Sequence, residues 1–403
     1  MKGITEIKKA SFGVKAIFLV CGLAISSWAP MVPFAKDRLQ LDDGNLGLLL
    51  LCLGVGAIGL MPLSGYFSKK YGSRKVILCA ALAMAFILPL LLVVNSVLWM
   101  GVALCSFGAV VGTVDVAMNA HGVQVQNLYR KPIMSSFHGL FSVGGLFGSL
   151  GLGALMKAGL EPLTAALSIS VLLIIIVLSQ YGSLLNRETE QQAINEFSSA
   201  NSNSSGASSA WLNIGVLFLG AMCFIVFLSE GAMLDWSAIF LKENRGIDPR
   251  LSGIGYAAFS VAMATMRLFG DKLVSHFSGR KVVIWGSLVA ASGIILLLTF
   301  SSLLFSLLGF ILLGIGAANI VPVFIGEGGR LKSVSALTAI PAITTMGYAG
   351  QLAGPALLGF IAHHYSLSVA FGLIAFLLLT VAAAYLLRNN GSAKTADPEI
   401  RSH

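Results

Sequence analysis

About a dozen long apolar stretches, separated by short polar turns, run from one end of this chain to the other. Some 20 apolar residues are enough to cross a bilayer, and hydropathy places crossings near 16–35, 45–67, 74–94, 97–127, 132–156 and 162–185, then near 211–240, 251–274, 281–300, 303–326, 334–362 and 366–387. Only 11% of the 403 residues are charged and 56% are hydrophobic, whereas soluble domains carry roughly 25% charged residues. The expected fold is an all-α membrane protein of about twelve transmembrane helices.

Charge fixes the expected orientation. Counted by alternate loops, nineteen of the 26 Lys and Arg residues fall on one side, six on the other, and Arg267 falls within a crossing. The positive-inside rule then puts both termini in the cytoplasm of a cell whose inner membrane holds the chain. The net charge of +9 forms no continuous basic domain, so nucleic acid is not an expected partner. The five cysteines lie in apolar runs without metal or disulfide spacing and read as packing residues.

Residues 186–210, rich in Ser, Asn, Gln and Glu, split the apolar runs into two near-equal sets and read as a flexible cytoplasmic linker. The expected organisation is a six-helix bundle over 1–185, the linker, a second six-helix bundle over 211–388, and a disordered cytoplasmic tail over 389–403. The two sets also resemble one another at a near-constant offset. Gly65 answers to Gly270 at 205 residues, Arg74-Lys75-Val76 to Arg280-Lys281-Val282 at 206, and Gly144, Gly148 and Gly153 to Gly350, Gly354 and Gly359 at 206. Such a repeat implies a duplicated bundle, its halves related by pseudo-two-fold symmetry.

A charge at the centre of a membrane helix costs about 2.5–3.5 kcal/mol or more on insertion scales, so each buried ionisable group needs a partner, a cavity or a proton. Asp115 is past the middle of the fourth crossing among Val114, Val116 and Ala117, with Asn119 one turn along the same face. It is the first candidate for carrying a proton, against the ordinary reading of a helix-to-helix hydrogen bond. Glu230, after a long apolar run in the seventh crossing, is the second. His138 sits a few residues from a basic turn and reads as a gate residue. Arg267 and Asp271, one helical turn apart, are expected to neutralise each other near the inner gate. Asn319 and Gln351 offer donors and acceptors to solute hydroxyls or to neighbouring helices alike. Trp28 and Tyr256 could stack on a ring or fill the packing.

Several segments carry a family resemblance. Asp115–Val123, Met134–Gly145, Glu230–Ser237 and Arg267–Asp271 resemble the YbjJ-like group of the major facilitator superfamily, related to the fucose permease. The turns Lys69–Lys75 and Ser278–Lys281 resemble that superfamily's cytoplasmic gate loop and its copy, where Gly permits a tight turn and Arg bridges to acids on neighbouring helix ends. The resemblance implies gate roles for Arg74 and Arg280, with Arg280 or Arg330 as a basic partner for Asp271. It also implies secondary active transport of a small polar solute, a sugar or sugar derivative, driven by protons.

No phosphate loop, metal cluster or His-Glu-x-x-His run is present in the sequence, so neither an enzyme nor a cofactor or metal is expected. The expected partners are a small-molecule solute, protons and the lipid bilayer, with the monomer as the working unit. A proton-antiport exporter of drugs or metabolites is the alternative on the same scaffold; a transporter-like sensor is a further rival that lacks an added signalling domain.

Overall fold

The computed structural model describes residues 4–41, 43–197, 212–247, 254–331 and 334–388, and these are helical throughout with short connections. The expected tail over 389–403 and the 198–210 part of the linker lie outside the described residues. The first set comprises α1 (Ile4–Trp28), a 3₁₀ turn (Ala29–Met31), α2 (Val32–Leu39), α3 (Asp43–Tyr71), α4 (Ser73–Leu90), α5 (Val97–Tyr129), α6 (Met134–Lys157) and α7 (Pro162–Tyr181). After α8 (Arg187–Phe197), the second set comprises α9 (Ile214–Arg245), α10 (Ile254–Phe277), α11 (Gly279–Thr299), α12 (Leu303–Ala317), α13 (Ile320–Gly328), α14 (Ala336–His364) and α15 (Leu367–Leu387). Among the described residues this makes two six-helix bundles, with α1–α2 and α12–α13 each acting as one broken crossing. Ten of the segments are long and apolar enough to span a bilayer by composition; α10, carrying Arg267, Asp271 and Lys272, and α14, rich in small residues, supply the remaining two.

The repeat is visible in the helix ends. α3 and α10 stop at Tyr71 and Phe277, α4 and α11 start at Ser73 and Gly279, and α5 and α12 start at Val97 and Leu303, each pair 206 apart. The glycine ridges match too. A Cβ on Gly144 or Gly148 would overlap the backbone of Leu19 or Leu23 in α1, and one on Gly350 or Gly354 would press on Phe224 or Leu228 in α9. Missing side chains let these helix pairs meet backbone to backbone.

The tight turns differ from expectation in one half. Gly72 takes φ 85° between α3 and α4, a backbone open chiefly to glycine. In the second half Ser278, not Gly279, holds the equivalent place at φ 71°. A second difference is α8. Arg187–Phe197 is an ordered helix, not a flexible segment: Asn186 accepts from Thr189 N at 2.9 Å at its start, and Ala193 and Ile194 are buried.

Candidate functional site

Asp115 is the nineteenth residue of the 33-residue α5 and Glu230 the seventeenth of the 32-residue α9, so both carboxyls sit near the middle of long spans. Their surroundings are built differently. Asp115 is 8% exposed. Asn119, one turn on, donates Nδ2–H to the Asp115 carbonyl at 2.9 Å and to its Oδ1 at 3.3 Å. The carbonyl can only accept, which fixes the Asn119 amide and turns its Oδ1 outward to meet His138 Nε2 at 3.2 Å. His138 is therefore the donor there, with its proton on Nε2, and its ring stands edge-on to Phe18 at 5.2 Å.

α6 carries the chain onward. One turn beyond His138, Ser142 donates to the His138 carbonyl at 3.1 Å and accepts from Arg267 Nη1 of the other bundle, also at 3.1 Å. Arg267 is buried. Its Nη2 bonds Glu230 at 3.2 and 3.4 Å, and its Nε donates to the Ala318 carbonyl at 3.1 Å. That carbonyl is free because Pro322, four residues on, has no N–H and interrupts the helix between α12 and α13. The tenth crossing is thus broken where the guanidinium needs an acceptor. A polar chain consequently runs Asp115, Asn119, His138, Ser142, Arg267, Glu230, from one bundle to the other.

Sequence reasoning assigned Arg267 to the wrong acid. The structure pairs it with Glu230, whereas Asp271 Oδ1 accepts from Ser136 N at 3.0 Å, at the start of α6. Helix starts expose unpaired N–H groups and partial positive charge. Gln126 takes those of Ile133 and Met134, at 2.9 and 3.1 Å, and Asp271 takes that of Ser136 from across the seam. The expected basic partners stand elsewhere. Arg280 donates to the Tyr385 and Leu386 carbonyls at the end of α15, Arg74 stacks over the Tyr181 ring at 4.0 Å at the end of α7, and Arg330 follows α13 near Glu327.

Of the solute-facing candidates, Asn119 belongs to the chain just described. Asn319 is buried and donates to the Met266 carbonyl at 3.1 Å, tying the break in the tenth crossing to α10. Trp28 is buried at the end of α1, Tyr256 packs beside Phe259, and Gln351 lies against Gly231. Two residues were missed. Ser142 was signalled by its i+4 spacing from His138. Tyr348 packs on Ala57, Met61 and Val116, faces Phe227 at 5.7 Å and lies within electrostatic reach of both Asp115 and Glu230.

The two bundles meet along α6 against α10 and α3 against α14. Besides the Asp271 bond, Gly139 lies against Leu268, Gly65 against Leu337 and Pro341, and Gly329 against Val123. These contacts crowd towards the end of the molecule from which α8 leaves.

A profile of the Major Facilitator Superfamily matches residues 16–326 and 222–402. A Yersinia pestis protein described as an uncharacterized MFS-type transporter is 46% identical over 367 residues, spanning 91% of this chain and 92% of that protein. Among solved structures, a human organic anion transporter (TETRAN) superimposes with TM-score 0.72 at 18% identity, covering 94% of this chain and 99% of that one. The Escherichia coli fucose:proton symporter FucP does so with TM-score 0.70 at 14% identity, covering 94% and 98%. The chain belongs to the Major Facilitator Superfamily and is a multi-pass membrane transporter rather than an enzyme.

Proposed function

We propose that this transporter moves a small uncharged polar solute, with hydroxylated sugars as the leading class, together with a proton carried by Asp115. The observation that carries the reading is the unequal treatment of the two central carboxyls. Glu230 has a guanidinium at 3.2 Å, while among the described residues no cation pairs with Asp115, whose carboxylate has Asn119 as its neighbour. A carboxyl without a counter-ion in a water-poor site is the group for which holding a proton relieves the most. Arg267, the permanent cation of the polar chain, is already paired with Glu230 and so is not free to receive an anionic solute. Likeness of fold to a fucose:proton symporter is in keeping with a neutral hydroxylated cargo.

The linker end faces the cytoplasm on this reading, following the nineteen-to-six distribution of Lys and Arg. Asp271 bonded to the start of α6 is then an inner latch, and the contacts at that end describe a state closed towards the cytoplasm. The protein works as a monomer in the inner membrane.

Proteoliposomes loaded with a pH-sensitive dye test the proposal. L-fucose, D-xylose, D-gluconate and ethidium are added outside in turn. Proton influx with a neutral sugar supports symport. Proton efflux with ethidium, and no response to sugars, would replace the reading by drug antiport; a response to gluconate alone would overturn the uncharged cargo.

A further inference from the structure

At the end of the molecule from which α8 leaves, a buried carboxylate stands outside the transport chain. Glu190 of α8 accepts from Ser73 N at 3.0 Å through Oε2, and its Oε1 stands 3.6 Å from His121 Nδ1. The side chains of His121 and Glu190 are 0% and 3% exposed. The other nitrogen of that imidazole, Nε2, accepts from Leu185 N at 3.0 Å, in the chain between α7 and α8. An imidazole that accepts at Nε2 carries its proton on Nδ1; Nδ1 and Glu190 Oε1, both buried without a hydrogen-bond partner, face one another just beyond hydrogen-bonding distance. Burial works against the Glu190 carboxylate, but His121 and the Ser73 bond outweigh it and hold its pKa below the usual carboxylate range. One side chain of α5 thus bonds the exit of α7 and faces the acid of the first turns of α8, while Glu190 caps α4.

The repeat offset gives this cluster a counterpart. Position 121 advanced by 206 is Glu327, on α13, the second part of the tenth crossing. Glu327 Oε2 accepts from Arg388 Nη1 at 2.7 Å and from the Tyr385 hydroxyl at 3.2 Å. Arg388 is the residue that follows α15, and its guanidinium also lies over the Phe218 ring of α9 at 5.2 Å. In each bundle, then, the same place on the fourth crossing holds the segment that leaves the sixth. In the first bundle the crossing supplies the N–H and the exit supplies the acid; in the second the crossing supplies the acid and the exit the N–H.

We propose that these are one duplicated exit latch with donor and acceptor exchanged, and that His121–Glu190 makes α8 part of the first bundle, moving with it as one body. The idea does not depend on the solute or on the role of Asp115. A polar exchange at either partner leaves the other buried without its mate, which is costly.

Hydrogen exchange of the full-length protein in nanodiscs tests the latch by comparing peptides over 185–197 and 380–388. Glu190→Gln is expected to speed exchange over 187–197 by about tenfold or more, with 380–388 unchanged; Arg388→Gln is expected to do the reverse. His121→Gln, which keeps an acceptor for Leu185, should release α8 as well, and the double variant should be no worse than the more severe single one, since both break one contact. Should Glu190→Gln not yield folded protein, His121→Gln carries the same test. Wild-type protection of 187–197 in His121→Gln, or effects of the two variants that add in the double, would overturn the latch.

Discussion

The two central carboxyls show how differently one duplicated bundle can treat an acid. Glu230 is embedded in partners: Arg267 bonds both its oxygens, and Arg267 is itself held by Ser142 and by the carbonyl that Pro322 leaves free. Asp115, at a similar depth, is bonded by an amide and, among the described residues, pairs with no cation. The first arrangement stores a charge pair and the second leaves a charge to be neutralised from outside. On the proposed reading the coupling proton needs the second kind, while the first lies within the second bundle and reaches α6 of the other only through the Arg267–Ser142 bond.

The comparison is broken most severely at Arg267. Arg267→Gln leaves Glu230 buried without a counter-ion, which costs about 3–5 kcal/mol; a thermal-unfolding scan in detergent should show a large fall in midpoint, and Arg267→Gln with Glu230→Gln together should recover part of it. A double variant as unstable as the single would mean that the pair is not what holds this region. Next in size is Asp271→Ala, which strips the far-bundle acceptor from the start of α6, a loss of about 1 kcal/mol by analogy with helix caps. Cysteines placed along the seam, at Leu268 and Ser136, should then label faster from the linker end. Unchanged labelling would make Asp271 a bystander.

An effect of opposite sign is expected at Ser278. Its backbone lies in a region almost reserved for glycine, φ 71° and ψ 151°, and holding another residue there costs about 1–3 kcal/mol. Ser278→Gly should therefore stabilise the protein, raising the unfolding midpoint without altering transport. A lowered midpoint would show that the serine hydroxyl contributes more than the strain removes.

Much of the fold was legible because it is written in periodic and repeated signals. Apolar runs located the crossings, and Gly144, Gly148, Gly350 and Gly354 announced both the duplication and the close helix pairs. The partner of Arg267 was not legible. On α10 alone Asp271 is the nearest acid by spacing, and only packing brings α9 close enough for Glu230 to take its place. The helix over Arg187–Phe197 was missed for a related reason: its composition is polar, and the buried contacts that order it, His121 and Ser73, lie far away in sequence. Asp115, Asn119 and His138 were singled out from residue type and depth, yet their joining into one hydrogen-bonded chain depends on the orientation of α6 against α5, which no local pattern records.

The central claim is that the unpaired carboxyl, and not the paired one, carries the coupling proton. Uptake into proteoliposomes of the sugar that evokes proton influx, driven by an imposed pH gradient, puts Asp115→Asn beside Glu230→Gln. Asn keeps the size and hydrogen bonding of Asp but cannot ionise. The account predicts that Asp115→Asn abolishes gradient-driven accumulation while still exchanging solute across the membrane, and that Glu230→Gln, though less stable, still accumulates it. Accumulation by Asp115→Asn at the wild-type rate, with loss in Glu230→Gln, would contradict it.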